Sequence, residues 1–201
     1  NRASVASVHK EMQQRGIPGA IAVIPDLVGV NGHLSENQLT TYHDDGWDMI
    51  AHPQLENPLP AYSQARQRKE IIRTKRWLVN HGYEDGADHF VAPFGKVGPQ
   101  TLNLLAKFHL TNYMTSNGLS GTPPTDPLTI DRVAIDDVQH AKQQIQRAAA
   151  QDSLLVLSAH TVGNSDDHWI SSDGFDSVLS TIEDADVKAT TPTEYWNKVV
   201  A

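Results

Sequence analysis

The chain has 201 residues, of which 39% are apolar and 20% are charged, and this composition is typical of one globular domain spanning residues 1–201. Its formal net charge is −8 and its 16 Lys and Arg residues are scattered, so it lacks the basic stripe of a nucleic-acid-binding protein. No run approaches the roughly 18 consecutive apolar residues of a membrane span. The absence of cysteine excludes disulfides, thiolate metal ligands and a Cys nucleophile.

Helical patterns alternate with short apolar runs along the whole chain. In chain order, the predicted helices cover 5–15, 35–43, 63–80, 99–108, 137–150, 175–182 and 193–199. The predicted strands cover 20–24, 48–51, 89–92, 112–116, 130–135, 153–158 and 187–190. Strands separated by helices indicate βα units with parallel strands and right-handed crossovers.

The number of predicted strands favours an α/β fold of the (β/α) barrel type, because these strands come close to the eight that close such a barrel. A doubly wound open sheet is the alternative. It lacks support because no Gly-rich phosphate-binding loop follows the first predicted strand.

Polar residues that directly follow predicted strands are the first candidates for chemistry, since active sites of parallel barrels lie at the carboxyl ends of the strands. Asp26, His52 and His160 occupy such positions. His52 could bind a metal through one ring nitrogen, and His160 could act as a general acid because imidazole ionises near neutral pH. The alternative for each is a histidine that is hydrogen-bonded as part of the core or to backbone carbonyls.

Two clusters of acidic residues and histidine differ in their predicted position. His43, Asp44 and Asp45 precede a strand, which places them in a solvated loop at the amino-terminal edge. The segment 166–169, Asp-Asp-His-Trp, follows the strand of His160 on the catalytic side. Its Trp169 could stack on a sugar ring or cap the core.

Five segments share their order with a known family: Gly16–Pro25, Gly46–His52, Ala92–Gly95, Leu155–His160 and Thr190–Glu194. They resemble, in turn, a helix-to-strand passage, the lead into a metal-binding histidine motif, a groove-forming Pro-aromatic-Gly motif, an acetyl-pocket motif and a terminal strand and helix. In this order they are similar to the polysaccharide deacetylase (NodB-homology) domains of carbohydrate esterase family 4.

The resemblance implies a distorted seven- or eight-stranded TIM-like barrel. It also implies a metal-dependent hydrolase that removes acetyl groups from an N-acetylated or O-acetylated surface polysaccharide. Members of the family use a divalent metal, usually zinc, held by one aspartate and two histidines. A neighbouring aspartate is the base that takes a proton from metal-bound water, and an acid protonates the leaving amine. A substrate of this kind implies an extracellular, cell-surface or particle-associated location.

Carried onto this sequence, the resemblance makes His160 the catalytic acid and His52 and Glu56 metal ligands. The residues that it implies for substrate binding are Pro93, Phe94, Gly95, Leu157 and Trp169.

Three departures from the family pattern leave alternatives open. The family's paired aspartates end an opening strand that precedes a segment like Asn1–Ser4, so an upstream segment or a second chain is expected to supply that strand. Glu56 stands where the second histidine is expected, while another register makes His52 the second histidine and puts Asp48 in the place of the first. Val91 replaces an arginine that orients the catalytic aspartate.

The retained His52 and His160 favour the deacetylase, and the departures leave two other functions open. One is a catalytically impaired, deacetylase-like barrel that acts as a carbohydrate-binding or structural module. The other is a diverged hydrolase that uses Glu56 on a different acyl or amide substrate.

Overall fold

The computed structural model describes residues 2–115, 118–163 and 169–200, in which helices and short strands alternate. The α-helices are α1 (Arg2–Gln14), α2 (Glu36–Asp44), α3 (Gln64–Asn80), α4 (Pro99–Leu105), α5 (Val138–Gln151), α6 (Ser172–Asp184) and α7 (Pro192–Tyr195). The strands are β1 (Ala20–Val23), β2 (Asp48–Ala51), β3 (His89–Val91), β4 (Thr111–Tyr113), β5 (Val133–Ala134), β6 (Leu157–Ser158), β7 (Thr161–Val162) and β8 (Trp169–Ile170).

The main sheet has the order β1-β2-β3-β4, and all its neighbouring strands are parallel. Each crossover contains a helix, as parallel pairing requires. The sequence directs these helices locally. Ser35 forms a capping box with Gln38 at the start of α2, and the Ser63 side chain accepts the amide of Arg66 in the first turn of α3.

The hydrogen-bonded arc continues beyond β4 through residues 130–135. The amide of Ile130 donates to the carbonyl oxygen of Asn112 at 3.1 Å, and the amide of Met114 donates to the carbonyl oxygen of Ile130 at 2.8 Å. The same segment then forms β5, where the amide of Val133 donates to the carbonyl oxygen of Val156 at 2.8 Å beside β6. The described residues therefore form an arc of parallel strands, and no barrel closes among them.

Several predicted strands are shorter in the structure, among them 130–135, which is paired as β5 at residues 133–134, and one is absent. Of the predicted strand 153–158, residues 157–158 are paired as β6, and residues 187–190 are not a strand. Extended backbone becomes a strand by pairing with a neighbour, and a local pattern of apolar residues cannot report whether that neighbour exists. The predicted α/β fold of parallel strands is confirmed, and the distorted seven- or eight-stranded barrel stays a prediction.

Alternate strand residues face two different cores, as the two-residue period of a strand requires. On the inner face of the arc, Ile50, Val91, Tyr113 and Ile130 form one cluster. The opposite face packs on the helices, with core residues that include Met49, Ala51, Phe90, Ile71 and Leu78. A further cluster joins α5 and α6.

The inner face of β1 has no such cover. Ile21 and Val23 pack in the helix-side core, whereas the inward Ala20 and Ala22 are exposed. β1 is the first strand of the sheet order and pairs with β2 on one side. Among the described residues, its other edge has no ladder partner.

Buried polar residues occupy the amino-terminal end of the sheet. The Asp48 carboxylate accepts the amide of Thr193 at 2.8 Å and so holds the start of α7. His89 is 1% exposed, and its Nδ1 lies 2.8 Å from the Thr111 hydroxyl. Within the described residues, no helix combines the length and the apolar character that crossing a membrane requires.

His89 makes the stability of the fold dependent on pH. Burial lowers the pKa of His89 to about 4, against the opposing effect of nearby carboxylates such as Asp48. An unfolded histidine has a pKa of about 6.5, so between pH 6.5 and pH 4 the unfolded chain binds a proton that the folded chain does not. We therefore expect the free energy of unfolding to decrease by about 3 kcal/mol through His89 as the pH falls across that window.

Urea denaturation at pH 7 and pH 4 measures this decrease. His89→Gln should lose that part of it and keep the part due to His109, whose pKa burial lowers to about 3. His33→Gln, at a half-buried loop position, is the control and should retain the full decrease. An unchanged decrease in His89→Gln would contradict the assignment.

Candidate active site

His52 follows β2 directly and lies at the carboxyl-terminal edge of the sheet. Its Nδ1 is 2.9 Å from the carbonyl oxygen of Val91 in the neighbouring strand. A carbonyl oxygen can only accept, so Nδ1 carries the proton and donates, and Nε2 keeps its lone pair. This tautomer, held by the hydrogen bond to the Val91 carbonyl, is suited to binding a metal through Nε2.

Charged neighbours act on His52 at the same edge. Burial lowers the pKa of His52, and the positive charges of Arg132 and His160 lower it further, while the bond to Val91 opposes the shift. The ring is therefore neutral, and able to act as a ligand, at neutral pH. His160 itself is exposed, two residues beyond β6.

Arg132 is a site residue that the sequence analysis missed. It stands two residues after the inward-facing Ile130, and its Nε donates to the carbonyl oxygen of Met114 at 3.1 Å. Burial lowers the pKa of Arg132. The signal was present in the sequence, because a charged side chain at an inward position of a predicted strand requires a polar neighbourhood.

The Pro93–Gly95 turn after β3 presents an aromatic ring to solvent. Phe94 is 53% exposed and adopts φ 57° and ψ 13°, a left-handed conformation that is strained for a bulky residue. Pro93 and Gly95 on either side are buried. Such strain persists where the surrounding structure imposes it, and it often accompanies a functional role.

Gly95 holds this turn against β4. Its φ is +62°, and a Cβ at this position would lie 1.9 Å from the Thr115 hydroxyl oxygen. Both the backbone conformation and the close approach require glycine.

The remaining predicted site residues lie apart from His52. Glu56 is exposed in the loop that follows β2. Leu157 packs against the cluster between α5 and α6, on the helix side of β6. Trp169 begins β8, pairs with Thr161 and is 45% exposed. The predicted cluster of Asp166, Asp167 and His168 lies outside the described residues.

Asp48 does not share the edge of His52. It begins β2, which His52 follows, so the two lie at opposite ends of a strand that spans roughly 13 Å. The structure therefore contradicts the register that puts Asp48 among the metal ligands.

Two other acidic candidates have structural partners. The carboxylate of Asp26 is bound by both Nη atoms of Arg73, at 2.7 and 2.6 Å, which lowers the pKa of Asp26. Asp45 follows α2 directly, and its carboxylate lies 3.2 Å from Nε2 of His9, as expected for a loop at the amino-terminal edge.

The fit of these residues to a divalent metal is partial. A catalytic zinc site takes three protein ligands and leaves one position open. His52 supplies one nitrogen in the required tautomer, and Glu56 is an exposed carboxylate in the loop beyond it. Among residues 2–115, 118–163 and 169–200, no three His, Cys, Asp or Glu residues are grouped to hold a metal ion.

The fold and site define an α/β protein with parallel strands and a histidine-bearing carboxyl edge. A sequence profile of the family described as Polysaccharide deacetylase matches residues 2–113, more than half of the chain, and the chain therefore belongs to the polysaccharide deacetylase family. The match ends at β4, so Arg132 and His160 lie beyond it. No curated protein sequence matches the chain.

Solved structures of deacetylases share this fold. The deacetylase PplD of Streptococcus pyogenes, in complex with acetate, has a TM-score of 0.58 and 18% identity over 63% of this chain. A family 4 carbohydrate esterase from Streptomyces lividans, in complex with acetate, has a TM-score of 0.57 and 14% identity over 90% of this chain and 80% of its own.

A polysaccharide deacetylase from Bacillus cereus has a TM-score of 0.50 and 21% identity over 57% of this chain and 36% of its own. The chain spans just over half of PplD, 56% of its length. At these identities the likeness shows the fold.

Gly95→Ala should destabilise the fold more than a glycine replacement that changes backbone conformation alone. Gly29 is the matched control, since its φ is +79° and no atom lies within 4 Å of the added Cβ. We expect Gly29→Ala to cost about 1 kcal/mol of unfolding free energy, and Gly95→Ala about 2 kcal/mol more, because Thr115 must move. Chemical denaturation measures both, and equal losses would show that the turn tolerates the added methyl group.

Proposed function

We propose that this chain, as a single domain over residues 1–201, is a metal-dependent hydrolase that removes acetyl groups from an N-acetylated or O-acetylated surface polysaccharide. The observation that carries the proposal is His52, whose Nδ1 donates to the Val91 carbonyl and whose Nε2 is left for a metal, in a chain of the polysaccharide deacetylase family. The bound acetate of the PplD and Streptomyces lividans structures supports the same chemistry.

Each residue of the site has a defined part in this proposal. His160, beyond β6, protonates the leaving amine or alcohol as the general acid. Phe94 and Trp169 offer exposed aromatic faces on which sugar rings stack. Pro93 and Gly95 hold the turn of Phe94 in place. Leu157 packs in the helix-side core, so its part in the proposal is to anchor β6, which precedes His160.

A divalent metal, zinc in the first instance, would polarise the acetyl carbonyl and acidify a water molecule when bound. His52 would hold it through Nε2, and Glu56 would add an oxygen ligand. The donor set among the described residues is incomplete, so the proposal assigns the remaining ligand and the base to an upstream segment or a second chain.

The free edge of β1 is where such a strand would add. There β1 has no ladder partner among the described residues, and the inward Ala20 and Ala22 are exposed. An added parallel strand would cover both, and the arc would then approach the family's barrel. A polysaccharide substrate places the protein outside the cell, at its surface or on a particle.

A second candidate function is a catalytically impaired barrel that binds carbohydrate or serves as a structural module. Val91, in place of the orienting arginine, and the incomplete ligand set favour it. The two functions differ in metal affinity. A binding module needs no zinc, whereas the hydrolase requires it.

Zinc affinity tests the hydrolase directly. We expect the chain to bind zinc and His52→Ala to weaken that binding by at least about 100-fold. The variant lacks a nitrogen ligand of the metal, and groups that merely support such a ligand typically contribute roughly 10- to 100-fold. Isothermal titration calorimetry measures the affinity, and His33→Ala is the control. Glu56→Gln should weaken binding less. The absence of zinc binding, both in this chain and in a form extended upstream, would reject the hydrolase and favour the binding module.

His160→Gln should separate catalysis from metal binding. We expect kcat for release of acetate from an acetylated oligosaccharide to fall by roughly 100-fold or more, since a general acid contributes about that much, with zinc affinity unchanged. Both kcat and zinc affinity are measured on one preparation of the variant and compared with the wild type. A fall in zinc affinity would make His160 a ligand instead of the acid.

A further inference from the structure

Arg132 differs from the other arginines of similar burial in having no acidic partner. Among arginines with described side chains, Arg15, Arg73 and Arg132 are half-buried. Arg15 is paired with Asp176 and Glu183, and Arg73 is paired with Asp26 and Glu70. Within the described residues, no carboxylate lies within ion-pair distance of Arg132.

Arg132 makes a side-chain hydrogen bond to a backbone carbonyl. Its Nε donates to the Met114 carbonyl oxygen at 3.1 Å, and among the described residues the Nη edge of the guanidinium is the part that remains for a ligand. The charges of Arg132 and His160 both lower the pKa of His52, so Arg132 lies close enough to act on that ring.

A half-buried guanidinium without a counter-ion is costly, and the cost falls when an anion binds. The planar fork of arginine matches a carboxylate through two parallel hydrogen bonds, which makes that group its preferred partner. The position beside His52 puts such a carboxylate within the candidate active site.

We propose that Arg132 binds a carboxylate of the ligand. This inference rests on the proposed function for the class of ligand, and two sources share the chemistry. One is an acidic substituent of an N-acetylated aminosugar, which would make the substrate an acidic glycan. The other is the carboxylate that deacetylation releases.

The apo protein should reveal the cost of the unpaired charge. Arg132→Gln removes the charge and keeps a hydrogen-bond donor for the Met114 carbonyl. We therefore expect its free energy of unfolding to equal or exceed that of the wild type, as is common where a binding site holds an uncompensated group. A clear loss of stability would indicate a structural arginine and would overturn the inference.

Ligand binding is measured on the whole chain with 1,10-phenanthroline, a chelator without carboxylates, so that neither metal nor turnover contributes. Chemical-shift titration compares three probes: N-acetylmuramic acid, which carries a carboxylate, neutral N-acetylglucosamine, and acetate. We expect at least one carboxylate probe to bind, with the acidic sugar about 10-fold tighter than the neutral sugar if the substituent is the source. Arg132→Gln should remove this advantage, and Arg132→Lys should keep part of it.

The probes and variants separate the outcomes. Binding of acetate alone that depends on Arg132 identifies the released acid as the source, and preference for the acidic sugar identifies the substrate. Arg76→Gln, at an exposed position of α3, is the control and should bind as the wild type does. If neither carboxylate probe binds in a manner that depends on Arg132, the inference is wrong even where the protein deacetylates. Conversely, Arg132-dependent binding of a carboxylate would support the inference even if the protein has no hydrolase activity.

Discussion

The parallel pairing of β1, β2, β3 and β4 is the constraint on which the other features depend. It brings all carboxyl ends of these strands to one edge and all amino ends to the other. Val91 connects the sheet to the candidate site. Its side chain lies in the inner core, and its carbonyl oxygen accepts the hydrogen bond from Nδ1 of His52. A slip of one residue between β2 and β3 would turn His52 to the helix side and break this bond.

Polar residues at the two ends of the sheet differ in whether they have bonding partners. At the amino-terminal end, Asp48 and His89 have partners in Thr193 and Thr111, and these bonds serve packing. At the carboxyl-terminal end, Arg132 has no acidic partner among the described residues, and Phe94 is held in a strained conformation. Natural proteins accept unbalanced charge and strain chiefly where function requires them, so the asymmetry itself points to the carboxyl edge.

Much of this arrangement could be predicted from local patterns. The apolar runs at β1, β2 and β3 predicted those strands within a residue or two, and the strand-end position of His52 followed from them. Properties that depend on pairing between distant segments could not be predicted. The short extent of β6 depends on its neighbours, and the side of β6 that Leu157 faces depends on register. Arg132 stands at an inward position of a predicted strand, but the groups that surround it come from segments distant along the chain.

The exposed inner face of β1 has a consequence for how the molecule opens. Among the described residues, peptide groups on the outer edge of β1 have no strand partner, whereas β3 lies between β2 and β4 and is buried. Amide protons should therefore exchange with solvent by small, frequent openings at β1 and by near-global unfolding at β3. The free energy of local opening should thus rise from β1 to β3 across the sheet. The carbonyl of Val91, which orients His52, lies in β3, two strands away from the least protected strand.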